Sequence, residues 1–383
     1  MEQTGSRARS SRVPQYDYYD YTLLFLTIIL VVFGLVMIYS TSSYNAQVVK
    51  GDSTYYLKRQ ALSAVLGVIG MLVVSKVDYS FLRKKTIIFK HSLATWFYVA
   101  CLLLQLYTLF FGVEINHARR WIDAGPLGTF QPSDLSKVAV AVFTAYLINK
   151  APKEMSKFSG LVRIGVYILP MIVLVGKENM STAIVIAFIA IAVCFVASPK
   201  KRYFVIVALV VGLLGFAYIL LGEGFRAQRI EIWRNVETHP KGFQILQGLY
   251  AIASGGLTGT GLGGSFQKLG YLPEAFNDMI FCIICEELGI LGAITVIVIF
   301  ALFLWRIFII AINSPDLFGG LVCTGILAHF AVQVLINIAV VTNSIPSTGI
   351  PLPFISYGGT SVAVMVAEVG IVLSVSSQIR TKR

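Results

Sequence analysis

The stretch Gly261–Leu288, GLGGSFQKLGYLPEAFNDMIFCIICEEL, decides the fold. It leaves a glycine-rich loop, crosses an acidic turn (Pro273-Glu274-Ala275-Phe276-Asn277-Asp278) and enters an apolar helix without a break. After Asp278 no charge occurs until Glu286, and mostly apolar sequence continues to Ala311. About 20 apolar residues cross the hydrocarbon core of a bilayer. The run from Met279 to Ala311 exceeds that, so it reads as a membrane span that tilts or projects from the bilayer. Asp278 stands where polar loop gives way to hydrocarbon. An ionisable group is costly to keep there, which makes Asp278 the leading functional residue.

Nine more segments have the length and composition of spans: Thr22–Thr41, Ala61–Val77, Ile88–Phe111, Ser133–Asn149, Leu161–Gly176, Met180–Ala197, Tyr203–Leu221, Phe318–Thr342 and Gly359–Ser377. The expected fold is an all-α polytopic membrane protein of about ten transmembrane helices. Composition agrees. Charged residues make up 13% of the chain, against about a quarter in soluble domains. The net charge of +12 invites a nucleic-acid reading, but the charges sit in short loops between apolar runs, as the positive-inside rule requires. No nucleic-acid partner is expected.

An even span count puts both termini on one side. Loops sharing that side hold 19 Lys and Arg, and the opposite loops hold 11. The bias gives both ends inside. The chain then divides into a basic cytoplasmic tail (1–16), one membrane domain (17–378) and a basic cytoplasmic end (379–383). The longest loop, 222–277, lies on the extracytoplasmic side between spans seven and eight. The first apolar run is too long for a signal peptide and lacks a small-residue cleavage site, so it is retained as a span. All five cysteines fall in apolar runs. Cys282-x-x-Cys285 has redox-motif spacing, but inside a hydrophobic helix it reads as packing.

Two other stretches carry chemistry. Asn116–Lys137, NHARRWIDAGPLGTFQPSDLSK, is an outer loop leading into the fourth span. Arg119 and Arg120 could grip phosphate there beside an interfacial Trp121. Lys137, one turn inside the span, needs a partner: either Asp134 three residues before it, or a pyrophosphate or distant carboxylate. Ser344–Ser361, SIPSTGIPLPFISYGGTS, carries Pro346, Pro351 and Pro353, which forbid a regular helix. Non-helical backbone at membrane depth is tolerated only when buried in protein or lining a cavity. Ser347, Thr348, Ser356 and Tyr357 could face such a cavity.

Taken together, these blocks resemble the SEDS family (shape, elongation, division and sporulation). The resemblance rests on Ser347–Ser361 (STGIPLPFISYGGTS), Ala118–Lys137, Gly242–Gly263 (GFQILQGLYAIASGGLTGTGLG), Leu272–Gly289 and Tyr55–Gln60 (YYLKRQ). It covers nearly the whole chain in order, and SFQKLGYLPEA is more similar to the FtsW/SpoVE division and sporulation branch than to the RodA branch. The chain departs from the family pattern at Phe276-Asn277, where His-Thr is usual, at Asn179, where an aspartate is usual, and at Asp134, where a glutamate is usual. The resemblance implies a peptidoglycan glycosyltransferase of the bacterial plasma membrane. Its substrate would be lipid II, polymerised on the outer face with release of undecaprenyl pyrophosphate, and its partner a class B penicillin-binding protein. The family's functional aspartate falls on Asp278.

The residues suit that chemistry. A sugar hydroxyl becomes a nucleophile when a carboxylate takes its proton, and Asp278 is the expected base in an inverting displacement. A pyrophosphate leaving group needs cations rather than a second carboxylic acid. The candidate substrate-binding residues are Arg59, Arg120, Lys137, Gln333, Thr348 and Ser356. No cofactor is required, although a divalent cation, Mg or Mn, could assist. Asp278 also suits a helix N-cap, and Glu274 is its rival as base. Glu286 and Glu287 read as structural, and Glu368 has no assigned role. A lipid flippase or transporter, and a non-enzymatic scaffold for a penicillin-binding protein, are the competing readings.

Overall fold

A computed structural model describes residues 15–85, 91–115, 118–123, 125, 129–206 and 231–382. Its helices are α1 (Tyr21–Lys50), α2 (Tyr55–Lys76), α3 (Leu93–Phe111), α4 (Pro132–Lys150), α5 (Phe158–Glu178), α6 (Met180–Ala197), α7 (Phe243–Ser254), α8 (Ile280–Ile312), α9 (Leu317–Val341) and α10 (Thr360–Ser376). Seven of them (α1, α2, α3, α5, α6, α8 and α9) are long and apolar enough to cross a membrane. The protein is thus a polytopic α-helical membrane protein. α4 and α10 fall on two more of the expected spans. α4 carries Asp134, Lys137 and Lys150, and α10 is only 17 residues long. The expected span Tyr203–Leu221 lies largely in 207–230, outside the described residues. So do residues 1–14 of the basic tail, residue 383 and the first part of the 222–277 loop.

Local sequence explains many boundaries. Asp20 caps α1, its Oδ1 accepting from the Leu23 N–H at 2.9 Å, while its Oδ2 pairs with Arg306 of α8 at 2.5 Å. α1 ends at Gly51 in the left-handed conformation, with φ 71°. Pro132 opens α4, where its missing N–H costs nothing. Asn179 ends α5 and caps α6, its Oδ1 accepting from Thr182 N–H at 3.1 Å.

The long run after Asp278 is broken. At Gly289 the backbone takes φ 67°, ψ −169°, a region open essentially to glycine alone. The break lets the loop after α7 cross it. Thr260 and Gly261 N–H groups donate to the Glu286 and Glu287 carbonyls at 3.0 and 2.9 Å, and Ile290 N–H donates to Gly256 O at 3.0 Å. The backbone groups freed by the break are satisfied inside the protein, as a lipid environment demands. A Cβ at Gly259 would stand 2.1 Å from Glu287 O, so the crossing requires glycine.

α9 is the central helix. It packs against α4, α6, α8 and α10, and most of its residues are buried. α2 and α10 pair closely: a Cβ on Gly370 would lie 2.6 Å from Met71 O, and one on Gly67 2.9 Å from Ala363 Cα. Close approach of small residues is what drives helix association where lipid removes the hydrophobic contrast.

Two small sheets stand outside the helical pattern. β2 (Val113–Ile115), β3 (Ala118–Asp123) and β4 (Thr129–Phe130) form an antiparallel sheet in the order β2-β3-β4 between α3 and α4. β1 (Gln15–Tyr18) pairs antiparallel with β5 (Ile379–Lys382), Gln15 opposite Lys382, which brings the two ends of the described chain together. All five cysteines are buried free thiols.

Between α9 and α10 the proline-rich segment folds back into the protein. Phe354, at φ 63°, is buried against Phe303 of α8 and Phe330 of α9, with ring centroids 5.4 and 5.1 Å apart. Phe330 lies about 16 Å back from the end of α9 at 1.5 Å per residue, so the segment re-enters deeply.

Candidate active site

The turn that carries Asp278, the re-entrant segment and the ends of α2, α4 and α6 enclose a cavity of about 620 Å³. The β2-β3-β4 sheet contributes Trp121, Asp123 and Thr129 to its wall. Thr360 at the start of α10 ties the sheet to the bundle, its hydroxyl donating to Thr129 O at 2.9 Å.

The Asp278 carboxyl is half-buried on this wall. Burial, with Glu274 nearby as a second cause, pushes its pKa up to about 7. The re-entrant segment faces it: a Cβ on Gly349 would lie 3.8 Å from Asp278 Oδ2, and Gly349 is held at φ 66°. Glu274, also in the left-handed conformation at φ 55°, lines the same cavity and is hydrogen-bonded by the Asn277 side-chain amide.

Two contacts hold the acidic turn against the re-entrant segment, and a third ties that segment to α2. Tyr357 N–H donates to Phe276 O at 2.8 Å. Asn337 of α9 donates through Nδ2 to the carbonyls of Asp278 (2.8 Å) and Ile350 (2.9 Å). Gln60 of α2 donates to Ser356 O at 3.1 Å and accepts from the N–H groups of Gly358 and Gly359 at 3.3 and 3.2 Å. Phe276, where the chain departs from the family pattern, packs on Tyr56 and Tyr357 with centroids 4.7 and 5.9 Å away.

The expected substrate-binding residues divide. Arg59, Lys137 and Gln333 line the cavity with Asp278. The Arg59 guanidinium stands over the Tyr55 ring at 4.8 Å, and its charge reaches the Tyr357 hydroxyl. Lys137 pairs with Asp134 at 2.8 Å, both almost fully buried, so of the two partners weighed for it the near one is in place. Gln333 is buried, and its Oε1 has no hydrogen-bond partner among the described residues.

Arg120, Thr348 and Ser356 stand apart from the cavity lining. Arg120 donates through Nε to Glu178 O at 2.7 Å, and the Arg119 N–H donates to Glu178 Oε2 at 2.9 Å, so this pair fastens the sheet to the end of α5. Ser356 closes its own turn, accepting from Leu352 N–H at 2.8 Å. Thr348 directs its hydroxyl into a buried position one residue before Gly349.

The remaining acidic residues have local tasks. Glu286 accepts from the Ser265 hydroxyl (2.5 Å) and the Phe266 N–H (2.9 Å). Glu287 pairs with Lys268 at 2.7 Å and accepts from Ser40 Oγ at 2.7 Å. Both bind the loop after α7 to α8. Glu368, which had no role in the sequence, pairs with His329 Nδ1 at 2.8 Å between α10 and α9. Among the described residues no three His, Cys, Asp or Glu side chains group as a metal site. A cation at this wall would draw on Asp278 or Glu274 and on substrate oxygens.

Comparison with known proteins follows the same outline. The family described as cell cycle protein, comprising FtsW, RodA and SpoVE, matches residues 21–381. Stage V sporulation protein E of Bacillus subtilis is 39% identical over 366 residues, covering 93% of this chain and 96% of its own. A probable peptidoglycan glycosyltransferase FtsW of Geobacter is 37% identical, covering 94% and 98%. Among solved structures, a chain from a peptidoglycan synthase complex that coordinates polymerization and crosslinking superposes with a TM-score of 0.78. It is 26% identical, with 94% of this chain and 98% of that one covered. The rod shape determining protein RodA of Thermus thermophilus gives a TM-score of 0.67 at 27% identity, with 94% and 97% covered.

Proposed function

The chain belongs to the FtsW, RodA and SpoVE family of cell cycle proteins, and we propose that it is a peptidoglycan glycosyltransferase whose base is Asp278. The observation that carries this reading is the shared cavity. One carboxyl with its pKa raised to about 7 opens onto the same space as Arg59 and Lys137.

The substrate is lipid II, and the reaction inverts the anomeric centre. Asp278 takes the proton of the acceptor sugar hydroxyl as that oxygen attacks the anomeric carbon of the donor. The bond from that carbon to the pyrophosphate oxygen breaks, and the lipid pyrophosphate departs with the electron pair. A base whose pKa lies near the working pH is the most effective, contributing roughly 10²–10⁴-fold. Arg59 and Lys137 meet the charge that develops on the leaving group. Lys137 keeps donor capacity for this, since an ammonium has three N–H groups and Asp134 occupies one.

The bias of Lys and Arg supports both termini inside, with the cavity on the extracytoplasmic face of a bacterial plasma membrane. The pairing of β1 with β5 agrees with termini on one side. The membrane domain runs over 17–378. The partner is a class B penicillin-binding protein, which would crosslink what this chain polymerises.

The test is polymerisation of labelled lipid II by purified protein together with its cognate transpeptidase. Glycan strands are expected from the wild type, and Asp278→Ala should reduce them at least 10²-fold with the protein folded. Unchanged strands from Asp278→Ala would overturn the assignment. Lipid movement across vesicles without polymer would favour a transporter.

A further inference from the structure

Asn337 is a polar residue in the outer half of α9, between Ile336 and Ile338, and its side chain is 1% exposed. Nothing in α9 itself requires an amide there. Its two hydrogen bonds go instead to carbonyls on two other segments, Asp278 at 2.8 Å and Ile350 at 2.9 Å. Neither carbonyl has a helical donor. The Cys282 N–H, which a helix begun at Asp278 would direct to it, donates to Met279 O. Ile350 precedes Pro351 in a segment without regular structure. A buried carbonyl left unpaired costs about 1–3 kcal/mol, and the bond to Ile350 is buried while that to Asp278 is partly so.

One of those carbonyls belongs to Asp278 itself. The other is next to Gly349, the residue that faces the Asp278 carboxylate. A single side chain therefore bridges the backbone of the base and that of the wall opposite it. We propose that Asn337 is a positioning residue for polymerisation, holding the acidic turn and the re-entrant segment in register so that the Asp278 carboxyl faces the cavity. This rests on the reading of Asp278 as the base. Asn337 contacts no substrate in this scheme and acts through Asp278.

The ionisable groups that face Asp278 across the cavity are Arg59 of α2, Asp123 of β3, Asp134 and Lys137 of α4, Glu274 of its own turn and Tyr357 of the re-entrant segment. Substitution at Asn337 alters none of them. Loosening the turn admits water to the carboxyl, which removes part of the burial that raises its pKa.

Two measurements on the full-length protein test the proposal. The first needs no substrate: infrared titration of the protonated carboxyl band that is present in the wild type and lost in Asp278→Asn. In Asn337→Ala the midpoint of that band should fall by about one pH unit or more. The second is polymerisation of lipid II per folded protein. Asn337→Ala should lower kcat by about 10²-fold, the effect of roughly 1 Å of misplacement, with KM little changed. The acid limb of the pH profile should move down with the band. Asn337→Ser, which retains one donor, should fall between, and it carries the same tests if the alanine variant does not fold. An unmoved band midpoint, or a loss confined to KM, would overturn the proposal. If the wild type makes no polymer, the glycosyltransferase reading fails while the titration still decides whether Asn337 governs Asp278.

Discussion

Burial and one charged neighbour set what Asp278 can do at neutral pH. Apolar residues around the start of α8 disfavour its charge, and Glu274 adds repulsion from the same turn. With a pKa of about 7, the base form grows as pH rises through neutrality, so polymerisation should fall off below pH 7. The contribution of Glu274 can be isolated. Glu274→Gln removes a negative charge that disfavours ionisation, so the Asp278 pKa should drop and the acid limb of the rate profile should move to lower pH, with activity above pH 8 little affected. If Glu274 were the base instead, the same substitution would abolish activity at every pH. A rate profile of Glu274→Gln against wild type therefore separates the two carboxylates. Much of this site is legible in sequence because a lone aspartate before an apolar run is conspicuous, and so is a lysine one turn inside a span. The amides are less visible. Gln60 adjoins an arginine in YYLKRQ that draws attention to itself, and Asn337 is one polar residue in a long apolar helix. Their tasks depend on contacts nearly three hundred and thirteen to fifty-nine residues away in the chain, respectively. Arg120 has a contact of the same hidden kind: its sequence setting suits a phosphate, and folding also brings Glu178 O to its Nε.

The elements show the same division between local and distant causes. Apolar length locates the spans closely, and α6 begins and ends where composition alone puts it, at Met180 and Ala197. The re-entrant segment is announced by its prolines. The break in α8 is not, because apolar length gives no sign of a backbone torsion. The excess length of that run is accommodated by Gly289 and the loop that crosses it, not by tilt alone. The strands between α3 and α4 are also unannounced, being short and made of a sequence that reads as an interfacial loop. The Gly289 crossing can be tested as an element. In Gly289→Ala the new Cβ would stand 2.5 Å from Gly259 N and Leu257 O, and φ would have to stay near 67°. Torsional strain alone costs about 1–3 kcal/mol, and the clash adds to it. The variant should lose thermal stability in detergent and release the 255–261 loop, seen as faster proteolysis there. Gly125→Ala, at a positive-φ glycine with none of the described residues within 4 Å of an added Cβ, controls for torsion without that backbone clash. Equal losses in the two variants would show that the crossing is not what Gly289 provides.

At the scale of the whole molecule, function depends on which side of the membrane the cavity opens, and that follows from orientation rather than from any one contact. The proposed orientation, with both ends inside, rests on the greater share of Lys and Arg in the short loops on the side of the termini. β1 and β5 pair across those ends, and the cavity lies at the opposite ends of α2, α4 and α10 from them. A polymerase that builds wall outside the cell must open outward, so orientation and activity stand or fall together. The native cysteines are well suited to testing this because all five are buried thiols and should stay silent to a membrane-impermeant maleimide. Gly125→Cys places a thiol on the exposed cavity wall, and Asn313→Cys places one on the exposed turn between α8 and α9. In intact cells Gly125→Cys should label and Asn313→Cys should label only after permeabilisation. The reverse pattern would put the cavity inside the cell, where it could not extend an external polymer. Labelling of both in intact cells would mean that α8 does not complete its crossing after the break at Gly289, and the outward assignment would then have to be rebuilt from the helices on either side.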